Sequence, residues 1–123
     1  NNQMKKLLLM LLCLPLIGFG QDDVEKTYYE NGNLKSEITT NNGLSDGLSK
    51  LYYESGKIRT EGFFKDGKEN GIWSIYYENE KLKIEAEWED GKPTGIWKYY
   101  DEYSKLIKMS KYLNGELIVE NWL

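Results

Sequence analysis

Histidine is missing from this chain, and cysteine occurs once, as Cys13. Without imidazole, and with a single thiol, the usual nucleophile–base pairs and the common zinc ligand sets cannot be built. The acidic residues Asp46, Asp66, Glu69 and Asp90 follow neither the order of an EF-hand loop nor a glycine–aspartate nonapeptide, so calcium is not called for. The sequence therefore assigns no catalytic residue, no metal ligand and no cofactor, and it describes a non-enzyme. Proline is scarce too, with only Pro15 and Pro93, which leaves the chain free to run in hydrogen-bonded strands. Past Ile17 no apolar run approaches the length of a membrane helix.

What is present begins with Lys5, Lys6 and an apolar run from Leu7 to Ile17, closed by Gly18, Phe19 and Gly20. A basic start, about eleven apolar residues and a small-x-small ending are the parts of a secretory signal peptide. Residues 1–20 are assigned to it, with Met4 as the start and cleavage after Gly20. The expectation is export to the periplasm, the cell surface or the extracellular space. Cys13 would leave with the leader, and no small residue precedes it to make a lipidation site. Loss of two lysines would leave 14 basic residues against 20 acidic ones, a net charge of −6 in place of −4. That sign repels nucleic acid and anionic lipid, so neither a nucleic-acid partner nor stable membrane insertion is expected.

The rest of the chain is periodic. Tyrosine recurs at Tyr28, Tyr52, Tyr76 and Tyr100, glutamate at Glu30, Glu54, Glu78 and Glu102, and glycine at Gly43, Gly67, Gly91 and Gly115, always 24 residues apart. Residues 21–27 read as a short lead-in strand, and four units follow at 28–51, 52–75, 76–99 and 100–123. A position that recurs in every unit is explained first by the architecture of the unit. The recurring glutamates lie beside turns, with no shared cleft to make a glycosidase pair of them.

Each unit holds two runs of strand length separated by glycine turns. In the second run apolar and charged residues alternate, as in Leu82-Lys83-Ile84-Glu85-Ala86-Glu87-Trp88, which is the pattern of a half-buried strand. Asn-Gly and Asp-Gly supply the positive φ values of tight hairpins. The expected fold is all-β: a single-layer, curled antiparallel meander of stacked hairpins. One face should be apolar, and Lys35, Glu37, Arg59, Glu61, Lys83 and Glu85 should lie solvated on the other. With nothing to cover the apolar face, Tyr28, Tyr52, Tyr76 and Tyr100 are expected to form an inner ladder with Trp73 and Trp97.

Tyr-Tyr-Glu-Asn-Gly-x-Leu-Lys at Tyr28 to Lys35, Tyr-Tyr-Glu-Ser-Gly-Lys-Ile-Arg at Tyr52 to Arg59, and Asp-Gly-Lys-x-x-Gly-Ile-Trp at Asp66 to Trp73 and Asp90 to Trp97 together resemble the MORN-repeat variant family. The resemblance implies stacked β-hairpins and a non-enzymatic role in contacts with proteins or membranes. Similar bacterial chains are grouped with YwqK-type antitoxins, which implies a partner toxin. Departures gather near the end, where Glu80 and Ser104 replace a turn glycine, Asp101 replaces a tyrosine, and Val119 and Glu120 replace glycine and an aliphatic residue. Terminal repeats are atypical where they cap an array.

The aromatic residues, 14% of the chain, are the feature with binding capacity. Phe64, Trp73, Tyr76, Trp88 and Trp97 are the candidate partner-binding residues on a concave face. The expected partner is a protein, in a scaffold or antitoxin-like role at the cell envelope; a glycan at the envelope and a plain spacer are the alternatives. The leader assignment has a direct consequence. Intact mass of the protein from its native host should correspond to a chain that starts at Gln21, and a full-length species held in the membrane would overturn the assignment.

Overall fold

A computed structural model describes residues 22–123; the leader assignment falls on residues outside it. Among the described residues nine strands follow one another: β1 (Asp23–Tyr28), β2 (Leu34–Asn41), β3 (Leu44–Tyr52), β4 (Ile58–Lys65), β5 (Lys68–Tyr76), β6 (Leu82–Glu89), β7 (Lys92–Tyr100), β8 (Leu106–Leu113) and β9 (Glu116–Trp122). They form one sheet in sequence order, every neighbour antiparallel, as the alternation and the turn residues require.

Two kinds of turn sit at the two ends of the strands. At one end Asn42-Gly43, Asp66-Gly67, Asp90-Gly91 and Asn114-Gly115 have positive φ at both residues, the type I′ geometry that matches strand twist. The glycine amides of three of these turns also donate to the preceding unit, Gly67 to the Ser45 carbonyl, Gly91 to Glu69 and Gly115 to Pro93. At the other end Gly32 and Gly56 adopt positive φ, and Glu80 and Ser104 are forced into the same conformation at 69° and 68°.

That second end is laced by tyrosines. The hydroxyls of Tyr29, Tyr53 and Tyr77 donate to the carbonyls of Tyr52, Tyr76 and Tyr100, each one unit ahead, at 2.5 to 2.8 Å. Asn31 and Asn79 add side-chain amide bonds to the Glu54 and Glu102 carbonyls. Units are thus joined at both ends of their strands as well as along them. In the last unit Asp101 stands where the bridging tyrosine would be, and its carboxylate turns inward to accept the amides of Tyr103 and Lys105.

Along the middle of one face runs the core. Ile38 pairs with Ser49, Ser49 with Gly62, Trp73 with Ala86 and Trp97 with Ser110. Small residues alternate with indoles, so each ring has room to lie flat across its neighbour. A Cβ at Gly62 would stand 2.1 Å from the Trp73 ring, which is why that strand position must be bare. Ser49, Gly62, Trp73, Ala86 and Ser110 are all buried, Trp73 at 9% exposure.

The inner ladder differs from the expected one. Tyr28, Tyr52, Tyr76 and Tyr100 do not join Trp73 and Trp97: strand alternation hands the inner place to their predecessors Leu51, Ile75 and Tyr99. Tyr76 points the other way and donates to the Glu61 carboxylate at 2.9 Å. That outer face is also less uniformly charged than expected. Leu48, Phe63, Ile72 and Ile96 are exposed on it between the lysines and glutamates, and of the cross-strand charge pairs Glu85 with Lys98 closes to 3.6 Å.

The irregular φ values are testable at Glu80. An L-residue in the left-handed region costs roughly 1 kcal/mol, partly offset by the greater backbone entropy glycine loses on folding. Glu80→Gly should stabilise the sheet by about 0.5 kcal/mol or more in urea unfolding, and no change would mean that this turn is relaxed with its native side chain.

Candidate functional site

Strands β2 and β7 are five places apart, which in a flat sheet is roughly 24 Å. Yet Ile38 of β2 and Tyr99 of β7 line one groove of about 400 Å³. The sheet therefore curls, with the tryptophan face concave. The curvature comes from bulges at matched positions, between Ile38 and Thr40, Glu61 and Phe63, and Glu85 and Glu87, opposite strands that carry Gly47, Gly71 and Gly95 with positive φ.

The bulges also fix the rings. Trp73 donates its indole N–H to the Phe63 carbonyl at 3.1 Å and Trp97 to the Glu87 carbonyl at 2.9 Å, the same bond one unit apart. Phe64 meets Trp73 edge-on at 5.0 Å, and Trp97 lies between Trp88 at 5.1 Å and Tyr112 at 4.8 Å. Such contacts contribute about 0.5 to 1.5 kcal/mol each beyond area burial. The result is a groove whose walls are aromatic and held in place before anything binds.

Of the five candidate residues, Phe64, Trp73, Trp88 and Trp97 line this groove, and Tyr76 lies on the opposite face. Burial and the adjacent Glu61 carboxylate push the Tyr76 hydroxyl above its ordinary range. Leu51, Ile75, Ile84 and Tyr99 belong to the groove and were not singled out by the sequence reading; Tyr99 aligns with Leu51 and Ile75 in the repeat, which is the signal that finds it. Glu69 also lines it, and its counterparts Ser45, Pro93 and Leu117 show that a carboxylate there is not part of the repeat. Among the described residues no group of three or more Asp, Glu, His or Cys side chains is placed to hold a metal ion.

The sequence pattern of the MORN repeat variant family matches residues 24–42, 45–66 and 69–90, which is half of the chain. The chain belongs to that family. Each matched stretch is one hairpin, β1 with β2, β3 with β4 and β5 with β6, so the MORN frame begins a few residues before the tyrosine pair. The pair β7 and β8 is a fourth copy by geometry: Gly95 faces Tyr112 and Tyr99 faces Lys108, as Gly71 faces Trp88 and Ile75 faces Ile84. No curated protein gives a significant match to the chain.

The end of the MORN array is altered by one residue. Thr94 and Lys98 of β7 span Glu87 to Glu85 of β6, whereas Leu117 and Val119 of β9 span Tyr112 to Lys111 of β8, so β9 carries one extra residue in its bulge where β7 carries two. Val119 occupies the position of Gly95 and, being β-branched, disfavours the positive φ that the larger bulge uses. A slip of one residue exchanges faces. Glu120 and Trp122 consequently come to the inner side opposite Ser110 and Lys108, while Asn121, the counterpart of Trp97, pairs with Met109.

Lys108 becomes the plug of that end. Its ammonium lies 4.0 Å from the Tyr99 ring centre, 4.9 Å from that of Trp122 and 2.9 Å from the Glu120 carboxylate. The hydrogen bond to Glu120 raises the Lys108 pKa, and the same bond lowers that of Glu120. A carboxylate depressed in the folded state contributes stability that is present above its ordinary value and is lost as pH falls through the depressed one. Amide protection in β9 should therefore hold from neutral pH down to the ordinary glutamate range and then fall, and Glu120→Gln should flatten that acid limb. Protection of β9 that follows global unfolding at every pH would show that the pair does not fasten the strand.

Proposed function

We propose that the protein is a non-enzymatic binding scaffold, exported to the cell envelope, that holds a protein partner in its aromatic groove. The observation that carries the reading is the groove itself: about 400 Å³, open to solvent, with Phe64 and Trp88 fixed along it by stacking and Trp97 by stacking and its indole hydrogen bond to backbone. Rigid aromatic side chains lose little entropy on binding and are the residues most often found to anchor protein interfaces. The MORN repeat variant family supports the same reading, since its repeats supply stacked hairpins and no catalytic set.

The character of the lining favours a protein over a glycan. Its polar side-chain groups are few: Ser49, Glu69, the Tyr99 hydroxyl and the Trp88 indole, with the Trp73 and Trp97 indoles already bonded to backbone, which is sparse pairing for the hydroxyls of a sugar buried there. Apolar side chains of a protein have no such demand. An antitoxin or immunity role is this same binding with a toxin as the partner.

A photo-crosslinking residue placed at Leu51 or Ile84, both in the groove, tests the reading against the same residue at Lys35 on the outer face. The groove positions should give one discrete envelope protein and Lys35 none. Binding of that purified protein should then weaken by about 2 kcal/mol with Trp88→Ala, while circular dichroism still reports the folded sheet. Trp73 is unsuited to this test because it is buried on Gly62. Equal crosslinking from both faces, or full affinity in a folded Trp88→Ala variant, would overturn the proposal.

A further inference from the structure

Glu69 is the one charged residue among those that line the groove, and the repeat does not account for it. It stands across from Phe64 on β4 and one inner place before Gly71, whose partner across β6 is Trp88. The next inner residue along β5 is Trp73. Gly71 puts no side chain between these groups, and an ideal Cβ there would meet nothing within 4 Å. Glu69 thus shares its stretch of the groove with the three aromatic residues Phe64, Trp73 and Trp88. The ion pairs among the described residues are Lys68 with Asp90, Lys98 with Glu85 and Lys108 with Glu120, and none of them engages the Glu69 carboxylate.

We infer that this place receives the cationic head of a lysine or arginine side chain from an extended segment of the partner, whose neighbouring apolar residues lie along the rest of the groove. The inference rests on the protein-binding reading above and adds the chemistry of what is bound. Two physical arguments favour a cation. Aromatic faces carry negative quadrupole and attract ammonium or guanidinium, an effect that grows as water is excluded. An occupant that covers Glu69 without bringing positive charge strips water from a carboxylate and returns nothing, whereas a basic side chain replaces that water with a charge-assisted bond. The far end of the concave face repeats the principle internally, where Lys108 sits on Tyr99 and Trp122 against Glu120.

Panning a phage-displayed library of random dodecapeptides on the immobilised protein, and in parallel on Glu69→Gln and Glu69→Lys, tests this. Glutamine keeps the shape, and Ser45 at the matching place in the first unit shows that a unit folds without the carboxylate. The protein should select peptides in which lysine or arginine lies beside aliphatic or aromatic residues. Glu69→Gln should lose the basic preference and bind the selected peptides roughly tenfold more weakly, and Glu69→Lys should prefer acidic peptides. Selection of apolar peptides with no basic enrichment, the same for protein and variants, would overturn this inference and leave the groove reading standing. Selection of no peptide at all, the outcome if a glycan or a second copy fills the groove, would overturn both.

Discussion

The described residues form a single sheet, with two faces and no second layer among them to cover either, and most of the structure follows from that constraint. Burying an apolar face worth of side chains requires the sheet to fold over on itself, and folding over requires the large residues on that face to find small ones beneath them. The row Gly62, Trp73, Ala86, Trp97, Ser110 is the solution, small and large in turn across neighbouring strands. Buried apolar area drives the curl, and the bulges opposite Gly71 and Gly95 allow it. The same bulges leave carbonyls of Phe63 and Glu87 free to accept the indole protons of Trp73 and Trp97, so the polar atoms of these two rings are satisfied inside the core.

Stability of such an array is a matter of nearest neighbours. Strand pairing alone would leave the hairpins hinged along their edges. The Tyr29, Tyr53 and Tyr77 hydroxyls at one end and the Gly67, Gly91 and Gly115 amides at the other tie each unit to the next at both ends of the strands. This explains why the tyrosine pair recurs as a pair. The second tyrosine bridges units, while the first, as Tyr76 does with Glu61, caps the charged face. Lysines 35 and 83 then pack over the rings of Tyr29 and Tyr77, which further stiffens that end.

The fold was legible in the sequence because its signals are local and repeated: a period of two in the second strand of each unit, Asp-Gly and Asn-Gly at fixed offsets, and no insertion to break register. The faces of the first strands were not, since Trp73-Ser74-Ile75-Tyr76 is apolar on both sides and alternation alone cannot say whether Ile75 or Tyr76 turns inward. Register with Ile84 and Leu82, and the shift between Ile75 and Tyr76, decide it. Four of the five candidate residues came together because they are aromatic and share strand positions. The reversal of β9 was hidden for a different reason: the substitution of Val119 for glycine is visible, but its effect is a one-residue slip that only pairing with β8 reveals.

Repetition and function pull in opposite directions in such a chain. What recurs every 24 residues must serve every unit, so it builds the scaffold and is blind to any one ligand. What does not recur is where specificity can reside. Glu69 against Ser45 and Pro93, Trp88 against Phe64 and Tyr112, and Tyr99 against Leu51 and Ile75 are all departures on the concave face, and they cluster where the groove lies. The recurring backbone beneath them supplies rigidity, because Phe64 and Trp88 pack on Trp73 and Trp97, whose indoles bond to the recurring bulges. A concave surface assembled in this way can change its chemistry by exchanging side chains at a few inner positions while the turns, bulges and tyrosine ties that fold it stay as they are.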